Sequence, residues 1–432
     1  MSHNPEGNNQ HGGKIERTPE LANAIQGYLN RNIKNYDHIR NLLSVEHNID
    51  MSKRSLTRVI GDLQIQTARL RNHGLSVEEI VQCVREKLIL DPTCGRGPAY
   101  IQESLKLEGI HIPINDIRAV MKMLEPEGFL IRHPDFHRRN VHTGKVVSIG
   151  PNETWALDGH EKLTAIGISI YGIRDRWGKV LKFQVVPNAR NEYAVEYAYL
   201  RVVFESGGIP LTVSTDKGTE TGGIYARQVS LRATFAPEID ANEIPPFIFI
   251  KSTRNISIER VWSTFLKKEG RNLQKMWNDG EKISGFIKGN RIHRALADWI
   301  WIPLAQASID AFVESFNNHK VRRQPEKQGP SDAPYWYTHQ FPEEFGGENV
   351  LIKGDMKLIE EIMENHPGRE AMKFYPDWFA PLAEEAYAKI MKPKLTLKTA
   401  WRVFAQMLVP LDVLIRDLDF ARIEQLAINR EE

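Results

Sequence analysis

The chain has 432 residues, ample for a sizeable core and for two or three domains rather than one. Hydrophobic residues at 41% and charged residues at 26% are ordinary globular values, which excludes sustained disorder outside the ends. Lys and Arg exceed Asp and Glu by only two charges, so any affinity for a polyanion must come from local patches.

Two cysteines, Cys83 and Cys94, build neither a disulfide framework nor a paired zinc motif. With no apolar run of membrane-spanning length and no apolar centre near the start, the expectation is a soluble intracellular protein with no membrane partner. Residues 1–17 are expected to be disordered. A helical unit follows over 18–72, with apolar spacing in Ile25, Tyr28 and Leu29, in Ile39, Leu42 and Leu43, and in Leu56, Val59, Ile60 and Leu63. In HIRNLLSVEHNIDMSKRSLTRVIGDLQI a helix ends near Asn48, and Ser52 starts a second one bearing Lys53, Arg54 and Arg58. This pattern reads equally as a DNA-reading helix-turn-helix and as a plain helical hairpin.

A second helical unit spans 76–131, opened by Ser76 and turned at Glu108-Gly109-Ile110. The basic stretch 132–152 reads as a linker, in which Arg138 and Arg139 are placed to lie along phosphates or simply to face water. His133, His137 and His142 lack the cysteine pair that a zinc site of this kind would want.

From 153 the hydrophobic period becomes that of strands. ETWALDG, TAIGISIYGI and KVLKFQVVP predict three strands, EYAVEYAYLRVVFESGG a helix, PLTVSTD and PPFIFIKS two further strands, and NISIERVWSTFLKKEGRNLQKMW a long helix. The order is that of a mixed α/β domain, taken as 153–340. Residues 351–432 are expected to form a helical C-terminal extension.

Asp158 and Asp216 each stand at the polar end of an apolar strand, and Glu259 lies on the helix after the last one. Three such carboxylates brought together repel one another unless a cation lies between them, and hard oxygen donors select Mg²⁺ or Mn²⁺. Two ions could activate an attacking oxygen and stabilise a leaving one at a phosphodiester, with Lys217, Asn255 and Arg260 as neighbours suited to placing DNA. Asp175 reads as turn chemistry, while His160 and Lys162 read either as phosphate contacts or as plain surface. Trp155, Trp177 and Trp262, each in or beside an apolar run, are expected to pack the core.

The motifs WALDGHEKL, GGIPLTVSTDKGTET and STRNISIERVW make the sequence resemble the integrase core shared by retroviral and retrotransposon integrases and by cut-and-paste transposases. More narrowly, it is similar to stand-alone integrase-core proteins of fungal and animal genomes. The resemblance covers about 150–340, more loosely the helical front. It implies an RNase H-like mixed-sheet catalytic core with helical regions on both sides, and an acidic triad of Asp158, Asp216 and Glu259 that binds metal and performs DNA strand cleavage and joining. It also implies a homo-oligomer on DNA and a nuclear location, since VRRQPEK is too weak an import signal alone. A catalytically silent, domesticated DNA-binding protein and a nuclease without strand transfer are the rival readings. The 42 residues between Asp216 and Glu259 exceed the family's usual interval, and the excess is expected in a loop, LRATFAPEIDANEIPP.

Overall fold

A computed structural model describes residues 15–67, 74–132, 148–250, 255–324 and 329–416. Its centre is a five-stranded sheet in the order β3-β2-β1-β5-β6, formed by β1 (Thr154–His160), β2 (Ser169–Asp175), β3 (Val180–Val186), β5 (Thr212–Thr215) and β6 (Phe247–Phe249). β1, β2 and β3 run antiparallel in sequence order, whereas β5 lies parallel to β1 and β6 parallel to β5. A short second sheet pairs β4 (Gly208–Ile209) with β7 (Ile352–Lys353).

The sheet is covered on both faces because its strands carry apolar residues on both. Trp155, Leu157, Tyr171, Ile173 and Val213 enter one core with α8 (Glu192–Ser206), α9 (Gly222–Phe235) and Ile359 of α14 (Met356–Glu364). Alternate residues Ile170, Phe183 and Val185 enter a second core on the opposite face. That core holds α10 (Ile256–Phe265), α11 (Arg271–Glu281), the 28-residue α12 (Arg291–Asn318), α16 (Phe379–Lys389) and α17 (Ala400–Ile415). Local signals set the helix limits: Asn191 caps α8 by accepting from Ala194 N, and Gly207 ends it at φ 72°, a conformation cheap only for glycine.

The front folds as two helical units. α1 (Pro19–Asn30), α2 (Tyr36–His47) and α3 (Lys53–Asp62) surround Ile25, Ile39, Leu42, Leu43, Leu56 and Val59. Asn48 closes α2 in the left-handed region, and the Ser52 hydroxyl accepts from Ser55 N to start α3. α4 (Val77–Ile89), with its reciprocal Ser76–Glu79 cap, joins α5 (Pro98–Leu107), α6 (Ile114–Leu124) and α7 (Pro126–Arg132) in the second unit.

The structure redraws three expected limits. Trp336 and Tyr337 of α13 (Tyr335–Gln340) pack into the core of the first helical unit, so the tail of the expected catalytic segment serves the front. The C-terminal stretch begins with strand β7 and then supplies side chains to both cores of the sheet. The expected loop before the last strand starts only after Phe235, because Leu231 and its neighbours complete α9. Among the described residues no helix is long and apolar enough to cross a membrane.

Candidate active site

The pairing of β1 with β5 matches Thr154 to Thr212, Trp155 to Val213 and Ala156 to Ser214. The ladder stops there: Asp158 lies two residues further along β1 and Asp216 directly after β5, near enough for the charge of Asp216 to act on Asp158. Trp155 and Leu157 are committed to the α8 face, so Asp158 points to the α10 face. There its Oδ2 accepts a hydrogen bond of 3.0 Å from the indole Nε1 of Trp262. Glu259 lies one helical turn before Trp262 on α10, and its side chain is exposed. α10 is held at this end by Arg174 of β2, whose guanidinium donates to Ser257 O.

The electrostatics follow from this crowding. Burial pushes the Asp158 carboxyl up to about 7, and the charges of Asp216 and Glu259 add to the rise against the lowering hydrogen bond from Trp262. Glu220, just past β5, is also raised, first by burial and then by the charges of Asp216 and Glu161. Glu220 lies within the motif GGIPLTVSTDKGTET, in which no role of its own was expected of it. Its carboxylate folds back on Gly218, where a Cβ would collide with it. At the rim Arg190 forms a double hydrogen bond with Glu161, at 2.7 Å each.

The other expected residues distribute as follows. Lys217 and Arg260 are exposed beside Asp216 and Glu259. Asn255 is not exposed to a substrate: it is 3% accessible, and its amide donates to Leu157 O at 3.3 Å, bracing α10 on β1. Among the described residues its Oδ1 has no hydrogen-bond partner. His160 is buried with its ring stacked on Trp262, and burial lowers it to about 4, so it is a neutral packing group rather than a phosphate contact. Lys162 is exposed. Asp175 accepts from Asn152 N at 2.6 Å and Trp177 N at 2.7 Å, at the opposite end of β1 from Asp158. Trp155 and Trp177 are core residues. In the front unit Lys53, Arg54 and Arg58 are exposed on α3, Lys53 in an ion pair with Asp37 at 3.2 Å. Arg138 and Arg139, with His133, His137 and His142, lie outside the described residues.

The donor set suits a hard divalent cation, because it is all carboxylate oxygen and its first member is raised by burial and like charge, which a cation between the acids would relieve. Among the described residues no three His, Cys, Asp or Glu side chains already stand close enough to share one ion. Asp216 and Glu259 both act on Asp158 by charge, and Glu259 is exposed on the first turn of α10.

A mixed sheet of three antiparallel strands extended by two parallel ones, flanked by helices and carrying acids on β1, after β5 and on α10, defines an RNase H-like core. Residues 146–340 match the family model described as integrase core domain, so this segment is similar to integrase cores. No curated protein matches the chain.

Proposed function

We propose that the chain cleaves and joins DNA strands by metal-dependent phosphoryl transfer at Asp158, Asp216 and Glu259. The observation that supports this reading is the Asp158 carboxyl on β1, pushed up to about 7 by burial and by the charges of Asp216, just past β5, and Glu259, on α10. Mg²⁺ or Mn²⁺, as one ion or two, would supply activation of the attacking oxygen and stabilisation of the leaving one.

Asp158, held by its pairing with Gly172, and Asp216, directly after β5, are the anchoring donors. Glu259 completes the set by side-chain rotation from the first turn of α10. Lys217 and Arg260, exposed beside these acids, attract and orient the phosphodiester. The outward row Lys53, Arg54 and Arg58 on α3 is suited to duplex DNA, which fits a helix-turn-helix use of the first unit. Joining two ends requires them to be held together, so a homo-oligomer on DNA in the nucleus belongs to the same reading.

The test is Mg²⁺- or Mn²⁺-dependent nicking and strand transfer on labelled duplex ends, comparing the wild type with Asp158→Asn, Asp216→Asn and Glu259→Gln. Each change is expected to lower the rate by about 10²-fold or more. Nicking without transfer identifies a nuclease with the same ligands. DNA binding with no turnover in the wild type identifies a DNA-binding protein that has kept the fold alone.

A further inference from the structure

We propose that Trp262 is a positioning residue for the first acid: its indole N–H, aimed by a packing arrangement built over Gly172, holds the Asp158 carboxylate in one rotamer beside Asp216, ready for a divalent cation. This rests on the reading of the site given above.

Asp158 pairs across the strands with Gly172 of β2, and Gly172 pairs in turn with Phe183 of β3. A Cβ at Gly172 would overlap the six-membered ring of Trp262 and crowd the ring of Phe183. The missing side chain lets the indole lie against the sheet at the position opposite Asp158. Its ring stacks with Phe183 at 3.9 Å between centroids and with His160 at 4.7 Å, with interplanar angles of 24° and 19°. Phe265 meets its edge at 72°. An indole so enclosed has little rotational freedom, and its Nε1 comes to rest 3.0 Å from Asp158 Oδ2.

Trp262 is only 5% exposed, so water is a poor competitor for that N–H. A charge-assisted bond of this kind gives a carboxylate direction as well as stability. Packing alone would ask for bulk at position 262 and would leave the donor's aim to chance. Because Trp262 follows Glu259 by one turn, a single helix carries both the third acid and the group that orients the first.

The test replaces Trp262 in the full-length protein in two ways. Trp262→Phe removes the donor and part of the ring; 3-benzothienylalanine at position 262 keeps the bicyclic shape and puts sulfur where the N–H was. Mn²⁺ binding is followed by electron paramagnetic resonance, thermal melting reports the fold, and Asp158→Asn is the control. The proposal expects the benzothienyl variant to melt as the wild type does while its Mn²⁺ dissociation constant rises roughly tenfold, the loss typical when a group that orients a metal ligand is removed. Mn²⁺ affinity within about twofold of the wild type in that variant would reduce Trp262 to core packing and overturn the proposal. Wild-type Mn²⁺ binding that Asp158→Asn leaves unchanged would overturn the metal-site reading itself, and this proposal with it.

Discussion

Asp158 is a carboxyl group whose surroundings oppose its charge. In the metal-free protein its folded-state value near 7 stands above the ordinary unfolded value of about 3.9. Between those two values the folded protein holds a proton that the unfolded chain releases. The group's contribution to stability is therefore complete below about pH 4 and is lost as the pH rises through about 7. Thermal melting of metal-free protein across that range is expected to show a falling midpoint, and Asp158→Asn, which cannot ionise, should flatten much of the fall. A midpoint that rises with pH in the same window, or a fall that Asp158→Asn leaves intact, would contradict the electrostatic account of the site. Glu220, raised by burial and by Asp216, contributes in the same direction, so a smaller fall is expected to remain in the variant.

At the scale of elements, the helix bearing Glu259 does not end cleanly but passes through a π-helical turn, Leu266–Gly270, into α11. The wider turn sets Glu269 at a meeting point of three elements. Its carboxylate accepts from Arg96 at 2.6 Å, from the Tyr100 hydroxyl at 2.7 Å and from Ser308 of α12 at 3.2 Å. Asp91 and Thr93 meet Asn272 on the next turn, and a Cβ at Gly95 would strike Lys267 O, so the chain before α5 sits directly on this bend. Both charges of the Arg96–Glu269 pair are buried, which makes the loss of one partner expensive. Glu269→Gln is expected to destabilise by about 3–5 kcal/mol in a urea titration, whereas Arg96→Met combined with Glu269→Leu should cost much less, because no buried charge is left alone. Equal losses in the single and double variants would mean that the pair is valued for its shape rather than its charge. α10, α11 and the second helical unit thus share one buried junction, so the seating of the helix that carries Glu259 is tied to the front of the chain.

For the molecule as a whole, the segment that carries the family match does not bury its own surface. Phe379, Phe404, Met407 and Leu411 from the C-terminal helices fill the core above α12, with Trp401 crossing Trp277 at 4.7 Å between ring centroids. Exposing four such side chains costs about 1.5–3 kcal/mol each. That sum rivals the entire net stability of a typical domain, about 5–15 kcal/mol. A chain truncated after residue 350 is accordingly expected to lose its cooperative melting transition and to aggregate. A soluble truncated chain with a sharp transition in calorimetry would show instead that the extension is a separable domain. The first helical unit is joined in a similar way, through Trp336 and Tyr337, with the Arg31 guanidinium lying 3.6 Å over the Trp336 ring.

What the sequence by itself determined was the local grammar. Alternating apolar residues marked the strands, capping residues such as Ser52, Ser76 and Asn191 marked helix starts, and two acids at strand ends followed by one on a helix marked the candidate site. Each of these is set by neighbours within a few residues, through backbone periodicity and capping chemistry, so it is legible in one dimension. Tertiary structure alone decided which polar groups face the site. Asn255 turned inward to β1, His160 became a stacking ring, and Trp262, read as core packing, proved also to hold Asp158. It also decided that α13 serves the front unit and that the last helices close the core on the α10 face of the sheet. Those outcomes depend on contacts between residues far apart in the chain, such as Gly172 with Trp262 and Trp277 with Trp401, where an absent Cβ or a crossing ring fixes the geometry and no local pattern records it.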